Sequence, residues 1–227
     1  VTGPTLAIRP PEYVPRLEVA ALLVVADRVV LADTFAFSRQ AAHNRMRIVT
    51  SQGPQWLTVP RRSGPVGLPM REVALVDDGW ARRHRQAIRT AYGMAPFYEH
   101  YADGVAALLA GTYPSVGALA AAATRWTAAM LGAAVPVLAS DLDGAPSTLA
   151  GVWRADGGGT LLTLPESSER DAARIAEVGG RVQTLALDPA ATYRQAFPGF
   201  VAGASSLDLL MNLGPDAAGW LRAAVLG

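Results

Sequence analysis

Cysteine is missing from this chain. Its absence excludes disulfides, cysteine-ligated zinc and a cysteine nucleophile, and leaves open whether the surroundings are reducing or oxidising. An excess of charge of one sign is missing too. Twenty basic residues face 19 acidic ones for a net charge of +1, so there is no electrostatic footprint for a phosphate backbone, and nucleic acid is not an expected partner. No run approaches the roughly 20 apolar residues of a membrane helix. The most apolar stretch, Val19 to Ala32, is interrupted by Asp27-Arg28. The opening residues lack the basic, apolar and small-residue order of a secretory leader, so no membrane association and a cytoplasmic location are expected. Histidine is scarce: His43, His84 and His100 are far apart and show no ligand spacing, which argues against a dedicated metal site. A complete GxGxxG, a GxxxxGK-Ser/Thr loop and a GxSxG elbow are all absent, and Gly157-Gly158-Gly159 lacks a helix start behind it, so no cofactor is expected.

What is present suits one substantial core. The chain has 227 residues, 51% of them hydrophobic and 17% charged, which favours a single α/β domain over 1–227 with a compact, mainly parallel sheet and a helical middle layer or subdomain over 80–135. Leu6-Ala7-Ile8 reads as a first strand, and Pro10, Pro11 and Pro15 force an extended or turning path after it. Leu17 to Ala26 suits a helix. Val29 to Ala32 has no alternation, as expected for a strand covered on both faces. Arg47 to Thr50 and Gln55 to Val59 fit a hairpin about Ser51-Gln52-Gly53-Pro54. Arg61 to Pro69 reads as an irregular loop, either a cover for a site or a solvated connection. Long Ala-rich helices follow from Trp80 to Leu131, broken at Tyr113-Pro114. The Gly- and Asp-rich span Asp141 to Gly159 reads as a passage back into the α/β part or a mobile surface loop. Thr160 to Leu164 is a strand candidate, and Ser167 to Val178 a helix capped by Ser167 or Ser168 and stopped by Gly179-Gly180. Val182 to Leu187 is another strand candidate, and Ser206 to Leu213 and Ala217 to Val225 suit terminal helices. Ser205-Ser206 reads as a cap before the first of these and not as a nucleophile pair.

The densest chemistry follows the second strand. Ligands of open α/β sheets gather beyond the carboxyl ends of strands, and there stand Asp33 and Thr34, then His43-Asn44-Arg45. Asp33 could act as a general base or orient an amine, or it could be a buried loop or capping carboxylate. Arg45 could hold a carboxylate or phosphate bidentately, Asn44 could fix a carbonyl, and His43 could move a proton. A turn or a structural salt bridge is the plain alternative for all three, and neighbours on a strand point to opposite faces. Arg9 ends the first strand and could recognise an anion, while Tyr13 could stack or donate a hydrogen bond. Trp80 and His84, four apart, share a helix face and could wall a pocket. Tyr92, Phe97, Tyr98 and Tyr101 read as packing residues.

Several of these segments together resemble the WbqC-like protein family. They are Ala7 to Pro15, Ala26-Asp27 through Asp33-Thr34, Phe37-Ser38, Asn44-Arg45 and Trp56 to Pro60, then more weakly Trp80, His84, Tyr92 and Ala95-Pro96-Phe97, and finally Ser205 to Gly214. Within this resemblance Asp33, Asn44, Arg45, Asp208 and Asn212 fit the family pattern. The chain departs from it where Arg9-Pro10-Pro11 replaces His-Gln-Pro and where Ala36 replaces a glutamine. The resemblance implies a biosynthetic transferase that moves an aminoacyl or related acyl group to a small amino-bearing acceptor, with an activated acyl donor as a second partner. Asp208 and Asn212 are expected either to contact ligand or to link the terminal helices. A cyclase or dehydratase acting on one intermediate, or a noncatalytic small-molecule binder, are the alternatives. Nothing in the residues sets the oligomeric state.

Overall fold

The structure, a computed structural model, describes residues 3–226. Strands β1 (Thr5–Arg9) and β2 (Arg28–Leu31) are joined by helix α1 (Leu17–Val25), and their inner residues are buried. A hairpin of β3 (Arg45–Thr50) and β4 (Gly53–Thr58) follows. Next come three helices, α2 (Trp80–Tyr92), α3 (Tyr98–Ala110) and α4 (Val116–Met130). The chain then runs through β5 (Val137–Leu138), α5 (Leu149–Ala155), β6 (Thr160–Thr163), α6 (Ser168–Ala176) and β7 (Arg181–Thr184), and ends in α7 (Ser206–Leu213) and α8 (Ala217–Ala224). Among the described residues no helix is long and apolar enough to cross a membrane.

Five strands form one parallel sheet in the order β5-β2-β1-β6-β7. The chain builds outward from β1 in one direction through β2 and β5, then returns to β1's other side for β6 and β7. The order therefore reverses between β1 and β6, and a crevice opens beyond the carboxyl ends of strands at such a reversal. Alternation along the strands explains the two faces. Leu6, Ile8, Val30 and Leu161 join Leu149, Val152 and Ile175 in an apolar cluster beneath α5 and α6. Ala7, Val29, Leu31 and Leu162 point the other way, into the larger cluster shared with α1, α4, α7 and α8.

Local chemistry accounts for most boundaries. The hairpin reaches beyond the expected segments, to Arg45 at one end and Gly53-Pro54 at the other. Pro54, opposite Val49, is tolerated because a two-stranded ribbon leaves outward positions that need no ladder N–H. Ser115 caps α4 through its side chain, accepting from the Ala118 amide at 3.2 Å. The span from Asp141 to Gly159 is not a plain loop. It contains α5, whose Thr148 accepts from Gly151, and β5 lies just ahead of it, two elements too short for periodicity to reveal. Gly157-Gly158-Gly159, all at positive φ, turn α5 into β6 at the amino end of the sheet. Neither Ser167 nor Ser205, at the start of α6 and α7, caps its helix through the side chain.

One polar contact ties the helical layer to the sheet's first loop. The Tyr13 hydroxyl meets His84 Nδ1 at 3.0 Å, both buried, and Trp80 packs edge-on against each ring. The imidazole also lies against the Thr58 backbone at the end of β4.

Two expected outcomes test this architecture. At Gly159 φ is +125° and a Cβ would lie 2.5 Å from the Pro4 carbonyl oxygen. Gly159→Ala is therefore expected to cost roughly 2 kcal/mol or more, a fall of about 4–8 °C in Tm by calorimetry. Burial first, then the Arg83 charge, lowers the His84 pKa from 6.5 to about 4 against the opposing pull of the Thr58 backbone. The unfolded chain takes that proton first, so the stabilisation is complete above pH 6.5 and is lost as pH falls toward 4. Thermal midpoints across that window should fall more steeply for the wild type than for His84→Gln, a difference worth about 2 kcal/mol after screening.

Candidate functional site

The crevice at the order reversal is built around Arg9, the last residue of β1. Its guanidinium is 14% exposed, and Nη1 donates to Ser167 Oγ at 3.2 Å. Ser167 and Thr163 hydroxyls are 2.8 Å apart, and Thr163 donates to Asp171 Oδ2 at 2.5 Å. Because the Thr163 proton is committed to the carboxylate, the set reads as one directional chain, from Arg9 to Ser167 to Thr163 to Asp171. It joins the carboxyl ends of β1 and β6 to the buried first turns of α6.

More carboxylates surround the same point. Glu166 lies 3.7 Å from Arg9 Nη2 and is also paired with Arg16. Glu12, only 5% exposed, accepts from Arg16 Nε at 3.3 Å and from the Arg16 amide at 3.1 Å. The backbone of Glu12 is clamped by Thr124 of α4, which accepts from its amide at 3.3 Å and donates to its carbonyl at 3.0 Å. Burial pushes the Glu12 pKa up, against the pull of Arg16 and Arg9. For Glu166 burial also works upward, but a backbone hydrogen bond and Arg16 outweigh it and hold the carboxyl below its usual range. Arg9 Nε is buried without a hydrogen-bond partner.

His43 stands beside this cluster. Its buried ring has Nδ1 at 3.2 Å from the Pro11 carbonyl. A carbonyl can only accept, so Nδ1 carries the proton and Nε2 keeps its lone pair. Burial lowers the pKa from 6.5 to about 4; the Pro11 bond opposes this and the nearby Arg9 charge adds to it. The imidazole is therefore neutral at physiological pH.

Asp33 follows β2, next to β1. It is buried, and Oδ1 accepts from the Ser140 amide at 3.0 Å just past β5, so it ties together the carboxyl ends of neighbouring strands. Thr34 Oγ1 donates to the Pro146 carbonyl at 2.6 Å. Asn44 and Arg45 are engaged elsewhere. Asn44 Nδ2 donates to the Val59 carbonyl at 2.7 Å, returning the Val59 amide's bond to the Asn44 carbonyl and closing the open end of the hairpin. Arg45 donates to the Gln40 carbonyl at 2.6 Å and lies 4.7 Å over the half-exposed Trp56 ring. No hydrogen bond or ion pair joins Asp33, Asn44 and Arg45 to one another. Tyr13, Trp80 and His84 form the interior contact described above. Asp208 and Asn212 lie on the buried helix α7. The Asp208 carboxylate accepts from Tyr193 at 2.6 Å and Gln195 at 2.9 Å, and Asn212 donates to the Asp208 carbonyl at 2.7 Å. Burial raises the Asp208 pKa against those two donors.

The fold thus groups Arg9 and His43 at the crevice, with Asp33 on the adjoining strand end. It adds Glu12, Arg16, Thr163, Glu166, Ser167 and Asp171, which sequence reasoning did not single out. A signal was present for three of them. Thr163 ends β6 and Glu166 and Ser167 follow it, as Asp33 follows β2, and the rule about carboxyl strand ends applies equally to both. It singles out β6 only when the strand order is known.

Comparison with known proteins finds one family whose model matches the chain. The WbqC-like protein family matches residues 10–219, beginning directly after Arg9. The uncharacterized protein Rv1507c of Mycobacterium tuberculosis (strain ATCC 25618 / H37Rv) is 28% identical over 224 residues, which are 96% of this chain and 97% of that protein. No solved structure matches. With nearly its whole length matched, and with Asp33, Asn44, Arg45, Asp208 and Asn212 all inside the matched span, this chain belongs to the WbqC-like protein family.

Proposed function

We propose that the chain is a biosynthetic group transferase that moves an aminoacyl or related acyl group onto a small amino-bearing acceptor held over the carboxyl edge of the sheet. The observation that carries this reading is the buried His43 imidazole, fixed through Nδ1 to the Pro11 carbonyl two residues beyond Arg9 at the reversal of strand order. A neutral ring with a free Nε2 can take a proton from a nitrogen that becomes acidic as it attacks a carbonyl. The charge around it favours the amine. Glu12, Glu166, Asp171 and Asp33 outnumber Arg9, Arg16 and the Arg170 that pairs with Asp171, so the edge attracts an ammonium more than an anion. Asp33 Oδ1 is committed to Ser140, which leaves Oδ2 to orient the acceptor.

In the transfer itself the acceptor, having given its ammonium proton to solvent, attacks as the free amine: its lone pair forms the new C–N bond and the carbonyl electrons move onto oxygen. The Arg9 guanidinium, held by Ser167 and not fully occupied, stabilises that oxyanion. Collapse breaks the bond to the leaving group, and the amine proton passes to His43 Nε2. Burial suits both tasks, because it strengthens the Arg9 field and keeps the imidazole unprotonated until the step requires it.

The test is mass spectrometry of the purified protein incubated with extract from its native cells. The wild type should produce an acceptor whose mass rises by an acyl increment. His43→Gln should lower that turnover about 100-fold or more, and Arg9→Gln about 100- to 1,000-fold, with folding retained in both. Water loss from a single compound would replace transfer by cyclisation or dehydration. Full turnover in both variants would remove His43 and Arg9 from the chemistry.

A further inference from the structure

A cavity away from the Arg9 cluster carries charge of the opposite kind. It occupies ≈ 180 Å³ between the segment after β2 and the loop that follows β4, with Phe37, Leu68 and Val73 as apolar walls and Arg39 and Arg61 at its polar side. That volume corresponds to about six waters of liquid, room for one ring and its substituent. The walls are held by the chain itself: the Phe37 amide donates to the Leu68 carbonyl at 2.9 Å, and Ala36 bridges Pro69.

We propose that this cavity is a binding subsite for a small carboxylate with a flat apolar body, carried by the acyl donor as a recognition group separate from the carbonyl that the amine attacks. Its binding chemistry stands on three observations. First, the Arg61 guanidinium lies 4.5 Å over the Phe37 ring, an arrangement that presents a cation and an aromatic face to the same space. Second, the cavity lining contains two arginines and no acidic side chain. Among the described residues neither Arg39 nor Arg61 forms an ion pair, whereas Arg9 and Arg16 in the crevice are both paired. Arg61 bonds only a neighbouring carbonyl, that of Arg62, at 3.0 Å. A carboxylate can therefore take a planar, bidentate place on a guanidinium without displacing an existing partner. Third, Phe37 packs against His43, with ring centroids 5.6 Å apart and planes tilted by 54°. A ligand in the cavity that Phe37 walls is thus one ring away from His43.

The assignment of this ligand to the acyl donor rests on the transferase reading, but its binding does not. The crevice, richer in carboxylates, suits the amine, and the cavity, with its unpaired arginines, suits the anion. Opposite charge in the two subsites keeps two substrates from exchanging places.

Benzoate is the probe. Binding to the whole chain is followed by calorimetry and by saturation-transfer NMR, neither of which requires turnover, so loss of this proposal and loss of the transferase reading are separate results. Saturable binding is expected. Arg61→Ala should weaken it roughly tenfold or more, and benzyl alcohol, similar in size but uncharged, should bind the wild type more weakly by a similar factor. Arg39→Ala, at an exposed position, provides a second variant and should also weaken benzoate. Arg174→Ala, outside the cavity lining, should leave it unchanged. Absence of saturable binding, equal affinity in the wild type and both cavity variants, or benzyl alcohol binding as tightly as benzoate would each overturn the proposal.

Discussion

Arg9 brings a full positive charge into the boundary between β1 and β6, and the structure around that boundary is organised by the need to compensate it. A guanidinium stays protonated in a protein, so burial cannot be relieved by losing the proton. It is met instead by the chain through Ser167 and Thr163 to Asp171, and by Glu166 and Glu12. The hydrogen bonds from Arg9 through Ser167 and Thr163 to Asp171 are directional, so the end of β1, the end of β6 and the start of α6 are held in one register. The same link explains why Ser167 does not cap α6. Its hydroxyl accepts from Arg9 and lies against Thr163, and is not available to the helix amides.

This compensation has consequences beyond the crevice. Glu12 helps to neutralise Arg9, and its backbone is clamped by Thr124 of α4. Next to it, Tyr13 is fastened to His84 of α2. The proline-rich segment after β1 is therefore pinned on successive residues to the helical layer, and His43 is placed by a bond to Pro11 in the same segment. A residue that carries charge at the end of the first strand is thus coupled, through the segment that follows it, to the helices and to the imidazole. Double-sided burial of the sheet gives this arrangement a rigid base.

The family resemblance and the geometry bear on different residues. Asn44 fits the family pattern, and in the structure its amide closes the hairpin; Asp208 fits it too, and gathers Tyr193 and Gln195 inside the core. A polar residue that completes a buried network is constrained as strongly as one that touches a ligand, and sequence pattern does not distinguish the two. Arg9, directly ahead of the span that the family model matches, occupies the end of β1 at the reversal of strand order, and His43 supplies an imidazole from another segment.

From its sequence alone the chain declared the parallel α/β class, most of its helices and strands, the hairpin, the family, and Arg9, Asp33 and His43 as candidates. These are local matters: period-two and helical patterns, prolines, and polar groups placed just past apolar runs. The strand order was not legible, because it depends on which apolar faces meet across the core, and no single segment encodes that. Nor were β5 and α5, which are too short to carry a period and are defined by what they pack against. Only the tertiary structure decided that the crevice falls between β1 and β6, that Ser167 answers Arg9 from 158 positions away, and that Asn44 and Arg45 turn to partners of their own. Side chains distant in the chain become neighbours only when strands pair, and the low polarity that makes those contacts strong exists only once the core has closed.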